Sequence, residues 1–389
     1  MRPVISPAQA QDIQKQIGER QPEILALMKA LVETESPSGD ASGSRQVVDL
    51  LAAAAHGLNG IHSIERVVVA DSGEHLVIRA FQTGETRGDV MLVGHTDTVH
   101  SRGSLATNPW RTEGERIFGP GIFDMKANCV LALEALRALD HTGVRPSRGV
   151  TLALTCDEEV GSFSGWPLLE RLARDHQPIC AFVLEPSVAG RVKTGRKGTA
   201  MFTMAAEGRA AHAGLDPEKG ANAILELARQ IDRLYELNND GGITVNAGVI
   251  RGGTRSNVVA AEAVAEIDVR FSTEAEAQQI LTTLRQPPPF DERVRVTVTG
   301  GINRPPLERT AAVAGLFEQA HSIALALGFE LGESQVGGAS DGNFLAAMGI
   351  PVLDGLGVDG DGAHAINEHI LAGAIPRRGA LLAGLIASQ

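Results

Sequence analysis

Phe118-Gly119-Pro120-Gly121-Ile122-Phe123-Asp124-Met125-Lys126 is a turn, punctuated by Gly and Pro, that delivers one carboxylate to the start of a helical run. On its own Asp124 reads as a helix N-cap, the commonest role of an aspartate in that place. Its company points elsewhere. Gly94-His95-Thr96-Asp97-Thr98 lies upstream, and Cys156-Asp157-Glu158-Glu159, Leu184-Glu185-Pro186 and Gly362-Ala363-His364 lie downstream. Two histidines and three carboxylates, each in a turn, suggest two metal ions that share Asp124.

The segments around these turns set the fold. Residues 89–94 are a continuous apolar run, the pattern of a strand covered on both faces. Residues 149–155 and 181–184 repeat it, and 351–353 is a short further case. Helical spacing over 126–139, 165–175 and 343–348 separates them. Strands alternating with helices predict an α/β domain with a mostly parallel sheet. Upstream, Ile13, Ile17, Ile24, Leu27, Met28 and Leu31 give residues 8–33 one helical face, closed by Ser36-Pro37-Ser38-Gly39. A second helix over 42–58 and a strand pair over 64–69 and 75–81 follow.

Between residues 194 and 303 the pattern changes. Strand 199–206 alternates, 220–237 is a strongly amphipathic helix, strands 243–251 and 263–271 follow, then helix 273–285 and strand 293–299. The order β-α-β-β-α-β is the ferredoxin-like split βαβ unit. Buried-type strands and His364 resume after it, so it is an insertion. Residues 1–194 and 304–389 are therefore expected to form the metal-binding domain, and residues 195–303 an inserted α+β domain.

The 389-residue length also predicts two domains, and 43% apolar with 21% charged residues is ordinary for a soluble globular chain. A net charge of -12 without a basic run argues against a nucleic-acid partner. An anionic substrate would need a local basic pocket. No apolar run approaches the roughly 18 residues of a membrane span. Residues 1–21 lack a signal-peptide core, and Cys129, Cys156 and Cys180 read as reduced core residues. The chain is expected to be cytoplasmic.

His95 follows strand 89–94, Glu158 and Glu159 follow strand 149–155, and Glu185 ends strand 181–184. In an open parallel sheet, ligands bind beyond the carboxyl ends of the strands, so distant segments converge on one rim. Zinc accepts histidine nitrogen and carboxylate oxygen, and paired hydrolytic metals lie roughly 3.5–4 Å apart. A carboxylate with one oxygen toward each ion supplies that spacing, which makes Asp124 the candidate bridge. Asp97 is placed to orient the ring of His95. Glu158 and Glu159 are adjacent, so one is the ligand and the other is left as general base. Asp354, Asp359 and Asp361 read as loop formers, and His56, His62, His75, His141, His176 and His321 as surface or packing residues.

From about Pro22 to the end, these motifs resemble the M20 family of metallopeptidases, and within it the glutamate carboxypeptidase branch. Arg196-Lys197-Gly198-Thr199, Ala211-His212-Ala213-Gly214 and Ile375-Pro376-Arg377-Arg378 extend the likeness. The resemblance implies two Zn2+ per chain, with Co2+ or Mn2+ as other ions of the same kind. One ion would take His95, Asp124 and Glu185, and the other Asp124, Glu159 and His364. Glu158 becomes the general base and Asp97 the residue that orients His95. A cis peptide between Asp124 and Met125 is implied too. The insertion would be a lid and dimerisation domain, with His212 reaching a neighbouring subunit's site. Asn257, Arg270 and Arg304 would grip a substrate's terminal carboxylate. The family branch often has Gly-Gly-Gly-Thr-Asp where this chain has Gly337-Gly338-Ala339-Ser340-Asp341, a change at the substrate wall.

The resulting expectation is hydrolysis of an amide bond to a free-carboxylate amino acid, in a small molecule or short peptide, by a homodimer. A small-acyl deacylase of the acetylornithine or succinyl-diaminopimelate type, or a dipeptidase, is the alternative within the enzyme class. Outside it stands a metal-free binding protein on the same fold.

Overall fold

The structure, a computed structural model of the chain, describes residues 5–82 and 87–389. It divides into two compact units. The first runs to Thr194 and resumes over Arg309–Gln335 and Ser340–Gln389; the second is Gly195–Glu308 with Val336–Ala339.

The first unit is built on a six-stranded sheet, in the order Ile61–Val69, Gly73–Ala80, Val150–Thr155, Val90–His95, Cys180–Val183, Val352–Leu353. The first two junctions are antiparallel and the last three parallel. Every residue of Val90–His95, Val150–Thr155 and Cys180–Val183 is buried, which is why these strands read as unbroken apolar runs rather than as alternation. Parallel neighbours need crossovers, and the helices Ala127–Thr142 and Gly165–His176 supply two of them.

The single helix expected over 8–33 is two, Pro7–Glu19 and Gln21–Glu33. Arg20 leaves helical geometry between them, at φ -94 and ψ 6. Pro22 has no N–H to donate and suits the opening turn of the second helix. Two helices with no counterpart in the sequence reading also belong to this unit, Ala311–Ala326 and Ile375–Ala387. A small antiparallel sheet ties Arg111–Glu113 and Arg116–Phe118 to His369–Leu371 and Gly360–Asp361. It brings the segment before Asp124 alongside the segment after His364.

The second unit is a four-stranded antiparallel sheet in the order Thr244–Gly252, Glu262–Phe271, Gly198–Glu207, Arg295–Arg304. Helices Ala223–Tyr235 and Glu274–Arg285 pack against it. This is the ferredoxin-like order, and the last strand is longer than the expected 293–299. Burial alternates strictly along much of Glu262–Phe271, so one sheet face carries the unit's core, including Met204, Leu227, Ile267 and Phe271. Thr273 and Glu276 form a capping box that starts the second helix. Among the described residues, no helix is long and apolar enough to cross a membrane.

Candidate metal centre

His95 is the last residue of its strand, Glu185 lies two residues past Cys180–Val183, and Glu158 and Glu159 form the one-turn helix Glu158–Val160 just beyond Val150–Thr155. These three strands are adjacent, so their carboxyl ends open onto one place. Asp124 stands in the turn before Ala127–Thr142, and its peptide bond to Met125 is cis, as the resemblance implies. His364 sits in a turn at φ 65, two residues after Gly362 at φ 79.

The side chains gather into two groups that share Asp124: His95, Asp124 and Glu185, and Asp124, Glu159 and His364, with donor atoms within 4.8 Å of one another in each. His95 Nε2 is 3.2 Å from Asp124 Oδ1 and 3.6 Å from Glu185 Oε1. His364 Nε2 is 3.3 Å from Asp124 Oδ2 and 3.2 Å from Glu159 Oε2. Each oxygen of Asp124 thus faces a different histidine, the arrangement a bridging carboxylate requires.

Asp97 organises the approach to this centre. His95 Nδ1 lies 3.0 Å from the Asp97 carbonyl and 3.4 Å from its Oδ1, which makes Nδ1 a donor and turns Nε2 toward Asp124. Asp97 also accepts the backbone N–H groups of Glu158 and Glu159, each at 3.2 Å, and the Ser38 hydroxyl at 2.6 Å. One buried carboxylate therefore fixes both the ring of His95 and the turn carrying the acid pair.

The electrostatics of the group are those of a site for cations. Burial opposes a charge on His95, yet Asp124 and Asp97 outweigh it and hold the imidazole well above its usual pKa. Hydrogen bonds to Asp124 and Glu159 push His364 up to about 10. Burial would raise Asp124, but His364 and His95 hold it well below the carboxylate range. Glu159 Oε1 is buried with no hydrogen-bond partner among the described residues, a costly state that a cation would relieve. Imidazole nitrogens with carboxylate oxygens are the donors zinc-class ions take. The residues fit two such ions.

Glu368 had no place in the sequence reading and is part of this site. It is fully buried and accepts from the backbone N–H of Gly121, Phe123 and Asp124 and from His100 Nε2. A glutamate in a polar loop carries no signal by itself. The acids of the Gly-rich run need no cation: Asp359 is held by Arg377, Arg378 and Ser187, and Asp354 accepts the Ser340 hydroxyl.

The expected substrate residues lie in the second unit, and not in one place. Arg270 and Arg304 both stand directly opposite Thr199, on the strands flanking Gly198–Glu207. His212 and Asn257 lie beyond the other end of that strand, where the Asn257 carbonyl accepts the Ala213 N–H at 3.0 Å. The strand from Thr199 to Glu207 lies between the two pairs, about 26 Å at ~3.3 Å per residue. The expected grouping of Asn257 with the arginines is therefore not what a single chain provides. Arg270 is forked onto Asp268, Nε to Oδ1 at 2.8 Å and Nη2 to Oδ2 at 2.9 Å. His212 Nδ1 accepts from the N–H groups of Gly214 and Leu215, so its proton resides on Nε2, which is left to donate.

Residues 91–388 match the model of peptidase family M20/M25/M40. The chain is 31% identical over 382 residues to carboxypeptidase G2 of Pseudomonas sp. (strain RS-16), covering 95% of this chain and 89% of that protein. Its fold is similar to that of aminopeptidase PepT from Bacillus cereus, with a TM-score of 0.78 at 22% identity over 95% of this chain and 98% of that one. It is also similar to that of a dinuclear metal-binding peptidase of the M20 family from Bacillus subtilis, with a TM-score of 0.69 at 13% identity over 95% and 98%.

Proposed function

The chain belongs to peptidase family M20/M25/M40 and is a hydrolase of the metallocarboxypeptidase kind, and from that premise we propose that it releases a free-carboxylate amino acid from an N-acyl or peptide amide. The carrying observation is the split of Asp124, one oxygen toward His95 and the other toward His364. In this reading two zinc ions, for which Co2+ or Mn2+ can substitute, are held by His95, Asp124 and Glu185 and by Asp124, Glu159 and His364. Bound there, the ions supply Lewis-acid polarisation and positive charge for a developing oxyanion.

The chain's own residues do the rest. Glu158 takes the proton of the attacking water and returns it to the leaving amine. Its backbone is fixed by Asp97 Oδ1, which keeps it beside the ligand Glu159 without being one. His212 Nε2 donates to the oxyanion. Arg304, supported by Arg270, takes the substrate carboxylate, because a guanidinium matches that group in a planar fork. The buried cysteine thiols fit a reducing, cytoplasmic setting.

A substrate panel tests this: acyl-glutamates, acyl-aspartates, acetylornithine, succinyl-diaminopimelate and free-amine dipeptides, each as free acid and amide, with and without chelator. Cleavage confined to acetylornithine or to dipeptides would favour the deacylase or dipeptidase alternatives. No chelator-sensitive cleavage together with no bound metal would favour a binding protein. Arg304→Lys is expected to raise KM for free-acid substrates by about 10-fold or more while kcat holds, since a point charge replaces a bidentate fork. An equal effect on amidated substrates would remove Arg304 from this role.

The separation of the His212–Asn257 pair from the arginines supports a homodimer in which His212 and Asn257 serve the partner's site. The second unit has surface suited to pairing: Thr244–Gly252 is an edge strand, and Ile250, Ile224 and Leu225 are exposed there and on helix Ala223–Tyr235. Mixing inactive His212→Ala and Glu158→Gln chains under subunit exchange is expected to restore activity in part. A heterodimer then has one site with both defects and one with neither. Verified exchange without activity would sink the assignment in trans.

A further inference from the structure

Two loops from distant parts of the chain meet at one carboxylate. Glu368 Oε1 accepts the N–H of Phe123 at 2.8 Å and of Asp124 at 2.9 Å; Oε2 accepts Gly121 N–H at 2.7 Å and His100 Nε2 at 2.6 Å. Its backbone carbonyl accepts Gly119 N–H at 3.3 Å, and its own N–H donates to Ala365, the residue after His364. Glu368 thus holds the bridging aspartate's turn from one side and is continuous with the turn of His364 on the other. Because the residue is fully buried, water cannot replace these bonds if they are lost.

The two metal positions depend on this tie unequally. His95 ends a central strand and Glu185 follows its neighbour, so the sheet itself places them. Only Asp124, of that trio, is anchored through Glu368. In the other trio the carboxylate of Glu368 holds the Asp124 turn while its backbone N–H holds the turn of His364, and the His364 side chain is 53% exposed, with little packing to hold it against a shift of Asp124. From this asymmetry, which rests on the two-ion reading above, we propose that Glu368 is a positioning residue that sets the affinity of the ion held by Asp124, Glu159 and His364. The other ion depends on it far less.

Glu368→Gln makes the test sharp because each carboxylate oxygen receives two donors. Whichever way the amide turns, its NH2 faces N–H groups, and at least one backbone donor of the Asp124 turn is orphaned. Metal content and dissociation constants are measured for wild type and variant by equilibrium dialysis against Zn2+ with elemental analysis. One ion is expected to bind about 10–100-fold more weakly in the variant, the range for groups that orient ligands, and the other within about threefold. Adding Glu185→Gln to Glu368→Gln should then weaken the ion that Glu368→Gln alone spares, whereas adding Glu159→Gln should weaken further the ion already loosened and leave the other in place. Glu368→Asp, one methylene short, should show the same asymmetry and serves if the glutamine variant does not fold. Equal weakening of both ions, no weakening, or failure of both variants to fold would overturn the proposal. Fewer than two ions in the wild type would instead overturn the two-ion reading itself.

Discussion

Glu158→Gln is expected to lower kcat by about 10²–10⁴-fold while the protein keeps its fold and its metal. Glu158 lies outside both ligand groups, and its N–H bond to Asp97 does not involve the side chain. Glutamine has the same shape but cannot accept a proton, so the loss falls on the chemical step. KM should stay within a few-fold, since no ground-state contact to substrate is removed. Steady-state kinetics beside metal content decide the matter. A kcat near wild type would move the base elsewhere, whereas loss of one ion would make Glu158 a ligand and return Glu159 to the role of base.

Asp124→Asn should act through the metal instead. An asparagine presents one oxygen and one NH2, so one of the two histidine Nε2 atoms, 3.2 and 3.3 Å away, would face a donor rather than an acceptor. A neutral amide also bridges two dications poorly. Metal content after dialysis should fall to that of chelator-treated protein, and activity with it; two retained ions would refute the bridge. The same carboxylate raises His364, so the metal-free chain carries a pH signature. With a folded pKa of about 10 against an ordinary value near 6.5, the proton on His364 stabilises the metal-free fold fully below about pH 6.5. That contribution is lost as pH rises through about 10. Thermal melts of metal-free wild type should therefore decline across this window, and those of Asp124→Asn should be flatter. Metal loading at neutral pH should correspondingly release protons, measurable by calorimetry in two buffers of different ionisation heat.

The legible parts of this molecule were those whose physics is local. Val90–His95 and Val150–Thr155 are buried on both faces, so their sequences are apolar without interruption, and polar residues just past them stood out. Ala311–Ala326 and Ile375–Ala387 escaped for the opposite reason. The second is buried nearly all round, with Arg378 held by Asp359, so it has no polar face and no period to detect. The first is so rich in alanine that its faces differ little. The break at Arg20 was written in Pro22, whose missing N–H marks the start of a helix as readily as its interruption. Glu368 was invisible because its role depends on the backbone of residues 121–124, far away in sequence. The distance between Asn257 and Arg270 was within reach: Asn257 precedes Glu262–Phe271 and Arg270 lies near its far end, and a strand of that length holds its ends apart.

The spread of the ligands along the chain also gives the centre a schedule. His95, Asp124 and Glu185 have all been synthesised before the second unit begins at Gly195, whereas His364 and Glu368 come only after it has been completed. A nascent chain paused at that boundary holds every residue proposed to bind one ion and lacks part of the set proposed for the other. It also lacks the helix Ile375–Ala387, which packs against Pro7–Glu19 and Ala127–Thr142, so the first unit's own core closes only after the second unit has been made. Under the proposed ligand sets, a chain cut short anywhere before His364 lacks part of the second metal position, however well its inserted unit has folded.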